Sequence, residues 1–198
     1  MYLCTCKSKS AMMIDLCNKL VDNYLTKDEL LERVEIRKTT PDDLGDICDT
    51  LSKAFDMYSS DEAFFQLMQS RARLDESVKL VDKYTGEIYG LLMFCENPIK
   101  FGSPIVEYEK GICDFLDGYN QVNGHSFVID ERLRGTGLDK KMLFYNIEFL
   151  ARTYDLIWIA VEIDLRTHAY WQRLGFVELF RIPEAVFYMM PLNKKLVE

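Results

Sequence analysis

One stretch of this 198-residue chain constrains its fold more than any other: residues 124–154, GHSFVIDERLRGTGLDKKMLFYNIEFLARTY. It opens as a short apolar strand, His125 to Asp130. It then crosses a basic turn, Arg132-Leu133-Arg134-Gly135-Thr136-Gly137, and enters a helix. Steps of three and four residues give that helix two apolar rows: Leu138, Met142, Tyr145, Phe149 and Leu143, Ile147, Leu150, Tyr154. A strand, a glycine turn and a helix together make an anion site. Glycines let the backbone approach closely, free N–H groups point outward, and the helix dipole favours negative charge. The competing reading is a packing turn with solvated arginines.

Bulk properties narrow what such a unit can belong to. Hydrophobic residues make up 48% and charged residues 28%, so the chain can bury the core of one ordinary globular domain. A net charge of −8 argues against an extended nucleic-acid surface, which needs clustered Lys and Arg. It also suits cationic substrates such as amines. The six cysteines lie at 4, 6, 17, 48, 95 and 113 without CxxC spacing, which reads as reduced thiols of a cytoplasmic protein. Cys4 and Cys6 have no second ligand pair, and only two histidines occur, so no metal site is expected. The apolar patch Ala11 to Ile14 is broken by Asp15 and too short for a signal peptide, and no run reaches the length of a membrane span.

Residues 1–33 read as a helical extension packed on the domain that fills 34–198. Met13, Leu16, Leu20 and Tyr24 form a stripe, and Thr26 with Glu29 has capping-box spacing before Leu30 and Leu31. A lid and a homodimer contact remain alternatives for that extension. Val34 to Arg37 reads as a strand. Thr40-Pro41-Asp42-Asp43 starts a helix whose buried face is Leu44, Ile47, Leu51 and Phe55. A second helix follows from Asp61 to about Leu74, with Phe64, Leu67, Met68 and Arg71 at helical spacing. Val78 to Tyr84 and Ile88 to Cys95 make a hairpin about Thr85-Gly86. Residues 96–123 are broken by Pro98, Gly102 and Pro104 and carry many aromatics and acids. Leu156 to Ile163 is a buried strand, and Arg166 to Leu174 a short helix ending at Gly175. Phe176 to Arg181 and Ala185 to Met190 form a last strand pair. This succession predicts an α/β (α+β) domain, a mixed sheet with helices on both sides.

The order of these pieces resembles the GNAT family of N-acetyltransferases. Arg132-x-x-Gly135-x-Gly137 after Phe127-Val128-Ile129 resembles its motif A. Glu35-Ile36-Arg37 with Thr40-Pro41-Asp42-Asp43-Leu44 resembles its opening, and Gly86-Glu87-Ile88-Tyr89-Gly90 its early hairpin. Trp171-Gln172-Arg173-Leu174-Gly175-Phe176 resembles the end of its motif B, and Phe187 to Leu192 its last strand. The match spans about 34 to 192. It implies the GNAT fold, a mostly antiparallel mixed sheet of about six or seven strands, and acetyl-CoA as co-substrate. Pantetheine would then pair with the backbone of Phe127, Val128 and Ile129. Its pyrophosphate would sit on N–H groups of Arg134, Gly135, Thr136, Gly137 and Leu138, with Arg132 and Arg134 as nearby cations and Asp164 and Trp171 on the facing segment.

The activity so implied is acyl-CoA-dependent N-acylation of a primary amine, on a small molecule or peptide, by direct attack. His125 stands where arylalkylamine N-acetyltransferases of this family carry a proton-accepting histidine; a histidine bonded within the sheet is the equal alternative. Glu162 is a second base candidate, and His168 reads as structural or exposed. The family's usual tyrosine, four residues before Gly-Phe, is Trp171 here. Tyr170 can replace it only if the helix is rotated, because one residue turns a helical side chain by about 100°. The usual Asn at the start of motif B is Asp164, and the following Ala is Thr167. These departures motivate a second reading, a non-catalytic acetyl-CoA-binding sensor or scaffold. A plain nucleotide-phosphate binder is a third, although no Gly-Lys-Ser/Thr follows the glycine turn.

Overall fold

The computed structural model describes residues 25–55, 62–95, 118–163 and 167–192. The expected stripe at 13–24, most of the 96–123 segment and Asp164 lie outside these residues. Seven strands form one sheet: β1 (Val34–Lys38), β2 (Val78–Asp82), β3 (Ile88–Cys95), β4 (Gln121–Ile129), β5 (Leu156–Glu162), β6 (Val177–Arg181) and β7 (Ala185–Pro191). Their order is β1-β2-β3-β4-β5-β7-β6. Every neighbouring pair is antiparallel except β4 and β5. A parallel pair needs a crossover, and the helix at 138–150 supplies it.

Among the described residues five α-helices accompany the sheet: α1 (Lys27–Arg33), α2 (Leu44–Ala54), α3 (Glu62–Arg71), α4 (Leu138–Leu150) and α5 (His168–Arg173). The capping box expected at Thr26 is present, with the hydroxyl accepting from the Glu29 N–H and Glu29 accepting from the Thr26 N–H. Around Pro41, ahead of α2, the Asp43 carboxylate accepts from both the N–H and the hydroxyl of Thr40, while the Asp43 N–H donates to the Thr40 carbonyl. Helix α2 buries Leu44, Ile47, Cys48 and Leu51, and with Phe64 and Met68 of α3 it covers Leu91 and Met93 on one face of the sheet. Helices α1 and α4 cover the other face, which carries Leu80, Leu92, Phe94, Ile157, Ile159 and Tyr188. Alternation along β3 sends neighbouring residues to opposite layers, both apolar because both are roofed by helices. On β5 the second layer, Leu156 and Trp158, packs instead with Ile182, Ala185 and Phe187.

One expectation about α4 needs correction. Leu138 and Met142 are buried, but Tyr145 and Phe149 of the same row are exposed. The buried row instead runs Leu138, Met142, Asn146, Leu150, an unbroken step of four. Asn146 is satisfied inside: its amide donates to the Glu76 carbonyl and its oxygen accepts from Lys38. Tyr154 Oη closes this polar cluster on Glu76 Oε1 at 2.5 Å. Among the described residues no helix is long and apolar enough to cross a membrane.

Candidate active site

The site begins where two strands part. Strands β4 and β5 pair only at Gln121↔Leu156, Val122↔Ile157 and Asn123↔Trp158. Beyond that point β4 stays on β3 as far as Ile129, while β5 stays on β7 as far as Glu162. A cleft of about 600 Å³ opens between them. Gly124 sits at the point of divergence, where a Cβ would come within 2.8 Å of Ile159 Cγ2. The same residue is next to a bulge. Phe94 faces Gly124 and Met93 faces Ser126, so His125 is the extra residue on β4. Bulges re-aim side chains, and this one brings both His125 and Ser126 to the cleft wall with His125 Nδ1 2.6 Å from Ser126 Oγ.

The glycine turn closes one end. Asp130 caps a 3₁₀ turn over Glu131–Leu133, whose Leu133 is fully buried. Gly135 (φ 72°) and Gly137 (φ 79°) both adopt the left-handed conformation, and Gly137 is the N-cap of α4. A Cβ on either would meet nothing within 4 Å, so it is backbone conformation that requires glycine here, not space. Among the described residues, the N–H groups of Gly135, Gly137, Asp139 and Lys140 have no hydrogen-bond partner. They form a cluster of outward donors at a helix start, which suits a phosphate. Lys27 of α1 donates to the Arg134 carbonyl at 3.0 Å and ties the preceding helix to this turn.

The two arginines divide. Arg134 reaches the cleft wall. Arg132 does not: its Nε and Nη2 donate to Asp130 at 2.9 and 2.8 Å, and its guanidinium lies 5.3 Å above the Tyr89 ring. That bidentate pair, foremost, holds the Asp130 carboxyl below the usual carboxylate range. Arg132 therefore braces the turn from behind.

Helix α5 forms the facing wall with Tyr170 and Trp171. The Trp171 ring packs 5.8 Å from Phe127 and 5.3 Å edge-on to Phe176, and the Tyr170 ring lies 6.5 Å from Phe127. Tyr170 Oη is buried without a hydrogen bond. The Asp139 carboxylate acts on it at close range without meeting hydrogen-bond geometry. Burial first, then Asp139, pushes the phenol pKa well up. Tyr170 is thus a hydroxyl that keeps its proton, an able hydrogen-bond donor but a poor acid toward a thiolate. His125 is shifted the other way. Apolar surroundings push its pKa down to about 4, so the ring is neutral at physiological pH.

Of the residues expected from sequence, His125, Phe127, Val128, Ile129, Arg134, Tyr170 and Trp171 meet at the cleft. Gly135, Thr136, Gly137 and Leu138 build the turn at its end. Glu162 stands exposed at the last position of β5, opposite Ala185 and off the wall. His168 is structural, with Nδ1 3.0 Å from Tyr188 Oη and Nε2 3.2 Å from the Ile163 carbonyl. The sequence reading missed Asp139, Ser126 and the cleft role of Phe55. Asp139 had a visible signal, an acid in the first turn after the glycines, whereas Phe55 comes from a remote helix end.

No family model matches this sequence, and no curated protein matches it. Solved structures do match its fold. Ard1 from Thermoplasma volcanium superposes with a TM-score of 0.59 at 13% identity, over 82% of this chain and 99% of that one. The GNAT family N-acetyltransferase YhbS of Escherichia coli, in complex with CoA, gives 0.56 at 19% identity, over 84% and 85%. The PaiA N-acetyltransferase of Thermoplasma acidophilum, also in complex with coenzyme A, gives 0.54 at 10%, over 80% and 98%. The chain has the GNAT acyltransferase fold.

Proposed function

We propose that this chain is an acyl-CoA-dependent N-acyltransferase of the GNAT family that uses acetyl-CoA and a primary amine of a small molecule or peptide. One observation carries the reading: the strands part beside a glycine turn that presents a cluster of unpaired N–H donors. That arrangement fits an elongated ligand with a phosphate at one end. Phe127, Val128 and Ile129 would hold the pantetheine arm along the edge of β4. The pyrophosphate would sit on the N–H groups of Gly135, Gly137, Asp139 and Lys140, since those of Arg134, Thr136 and Leu138 are bonded within the turn. Acetyl-CoA supplies an acyl thioester open to direct attack by nitrogen, with no covalent enzyme intermediate.

The chain's own residues then have limited work. Phe127, Trp171 and Phe176 exclude water from the cleft. His125 offers a neutral imidazole nitrogen to a departing proton, and Ser126 fixes the ring through Nδ1. Tyr170 offers a hydrogen bond and not a free proton. A thiol has a pKa of about 8.5, so its thiolate can leave without an obligatory acid.

A second reading, a non-catalytic acetyl-CoA sensor or scaffold, draws on Trp171 in the tyrosine's place and on the two shifted groups. CoA release over a panel of amines separates them. Turnover on at least one amine supports the enzyme. Micromolar binding of acetyl-CoA with no release above the buffer rate on any amine supports the sensor.

A further inference from the structure

Helix α4 presents an outer face that mixes aromatic rings with opposite charges. Lys141, Phe144, Tyr145 and Glu148 are all exposed on it, the two rings at 45% and 52%. One residue turns a helical side chain by about 100°, so these four share an arc of about 100°, away from the buried row of Leu138, Met142, Asn146 and Leu150. Phe149 lies to one side of that arc, with Lys38 over its ring. Neither Lys141 nor Glu148 makes an ion pair among the described residues. Seven residues of helix set them about 10 Å apart, too far to pair with each other. Two unpaired charges of opposite sign therefore bracket two exposed rings.

We infer that this face docks on a second copy of the chain, as an antiparallel pair of α4 helices about a two-fold axis passing between residues 144 and 145. The charge pattern commits it to that occupant. Such an axis brings position 141 of one copy level with 148 of the other. Lys141 of each copy then meets Glu148 of its mate, and the pair occurs twice in one interface. The same axis keeps each flank of the helix on its own side, so the two Phe144 rings meet on one flank and the two Tyr145 rings on the other. A parallel pair would instead set Lys141 against Lys141 and Glu148 against Glu148. Thirteen residues of helix are about 20 Å long, so the buried area falls at the small end of specific interfaces. The dimer should be weak, with a dissociation constant of about 10–100 μM. This holds whatever reaction the cleft supports.

Sedimentation equilibrium of the full chain, from about 5 to about 500 μM, tests this with charge reversals. Lys141→Glu and Glu148→Lys each turn both attractions into repulsions, and each should weaken the dimer about tenfold or more. Both variants should fold. The first adds an acid to the first turn of α4 and the second a base to its last turn, as the helix dipole favours. Mixed in equal amounts, the two single variants should associate, because one then carries two negative charges on this face and the other two positive. The double variant, with the signs exchanged, should dimerise within about threefold of the parent. A parent that stays monomeric to about 500 μM would overturn the inference and leave the face to residues 1–24 or to a different protein. A parent dimer that neither reversal weakens would place the interface elsewhere and overturn it as well. Single variants whose mixture stays monomeric would do the same.

Discussion

Burial holds His125 at a pKa of about 4, against 6.5 for the free side chain. Between those values the unfolded chain takes up a proton that the folded chain refuses. Stability therefore falls as pH drops through that window, and is fully present above about 6.5. The full effect is about 3 kcal/mol. His125→Gln should lose less stability than the parent between pH 7 and pH 4.5, by about 2 kcal/mol, read from urea midpoints at the two pH values. Equal acid losses in the two proteins would assign the whole effect to carboxylates. The position of His125 on a strand before the glycine turn was legible in the sequence. Its protonation was not, because the bulge depends on register with β3 and the apolar walls come from α2, α5 and β5. The arginines teach the same lesson at shorter range. Arg132 and Arg134 look alike in the motif, and only the 3₁₀ turn, which sets Asp130 against Arg132, makes one a brace and leaves the other on the cleft wall.

Helix α4 was located correctly from periodicity, but one of its faces was not. Counting apolar residues favoured Tyr145 and Phe149 over Asn146, since hydropathy cannot see partners far along the chain. Those partners are Glu76 and Lys38, 70 and 108 residues away. A buried amide is tolerated where such partners meet it, and Lys38 also lies over the Phe149 ring, 3.9 Å from its centroid. The N-terminus of the same helix was plain from Gly135-Thr136-Gly137, because left-handed backbone has a strong residue signature. That signature supplies a prediction. Gly137→Ala places an L side chain at φ 79°, at a cost of about 1 kcal/mol or more. Relief of that strain would rotate the first-turn N–H groups away from their common focus. CoA affinity should fall about tenfold or more by calorimetry, one lost donor cluster being worth at least about 1.4 kcal/mol. Gly86→Ala makes the comparison clean, since Gly86 has φ 78° in the β2–β3 turn, away from the cleft. It should cost similar stability and leave CoA binding unchanged. A matching loss of CoA affinity in both variants would show that the effect is general destabilisation.

At the scale of the molecule, one sheet is made of two parts, β1–β4 and β5–β7, joined by three parallel residue pairs. The cleft exists because pairing stops there. The order of elements made the layered sheet readable; the atom that holds the strands apart was not, because it is a contact between strands 35 residues distant. Gly124 allows Ile159 to cross above the last pair, and a Cβ at 124 would strike Ile159 Cγ2 at 2.8 Å. Gly124→Ala should force β5 or the Ile159 rotamer to move, with a cost of about 1–3 kcal/mol from overpacking. Removing the obstructing methyl by Ile159→Ala leaves a cavity, with a cost of about 2–5 kcal/mol of its own. If the two side chains compete for one space, the costs cannot add. In the Ile159→Ala background the new methyl at 124 enters part of the void, so the step Gly124→Ala should cost under about 0.5 kcal/mol and the cycle should show a coupling of at least about 1 kcal/mol. CoA affinity gives a second reading on the same four proteins. Gly124→Ala alone should weaken binding by shifting the edge of β4 that pantetheine would follow, and the double variant should recover it toward the Ile159→Ala value. Additive stability costs, with CoA affinity unmoved by Gly124→Ala, would mean that the parting of β4 and β5 is set elsewhere along the strands.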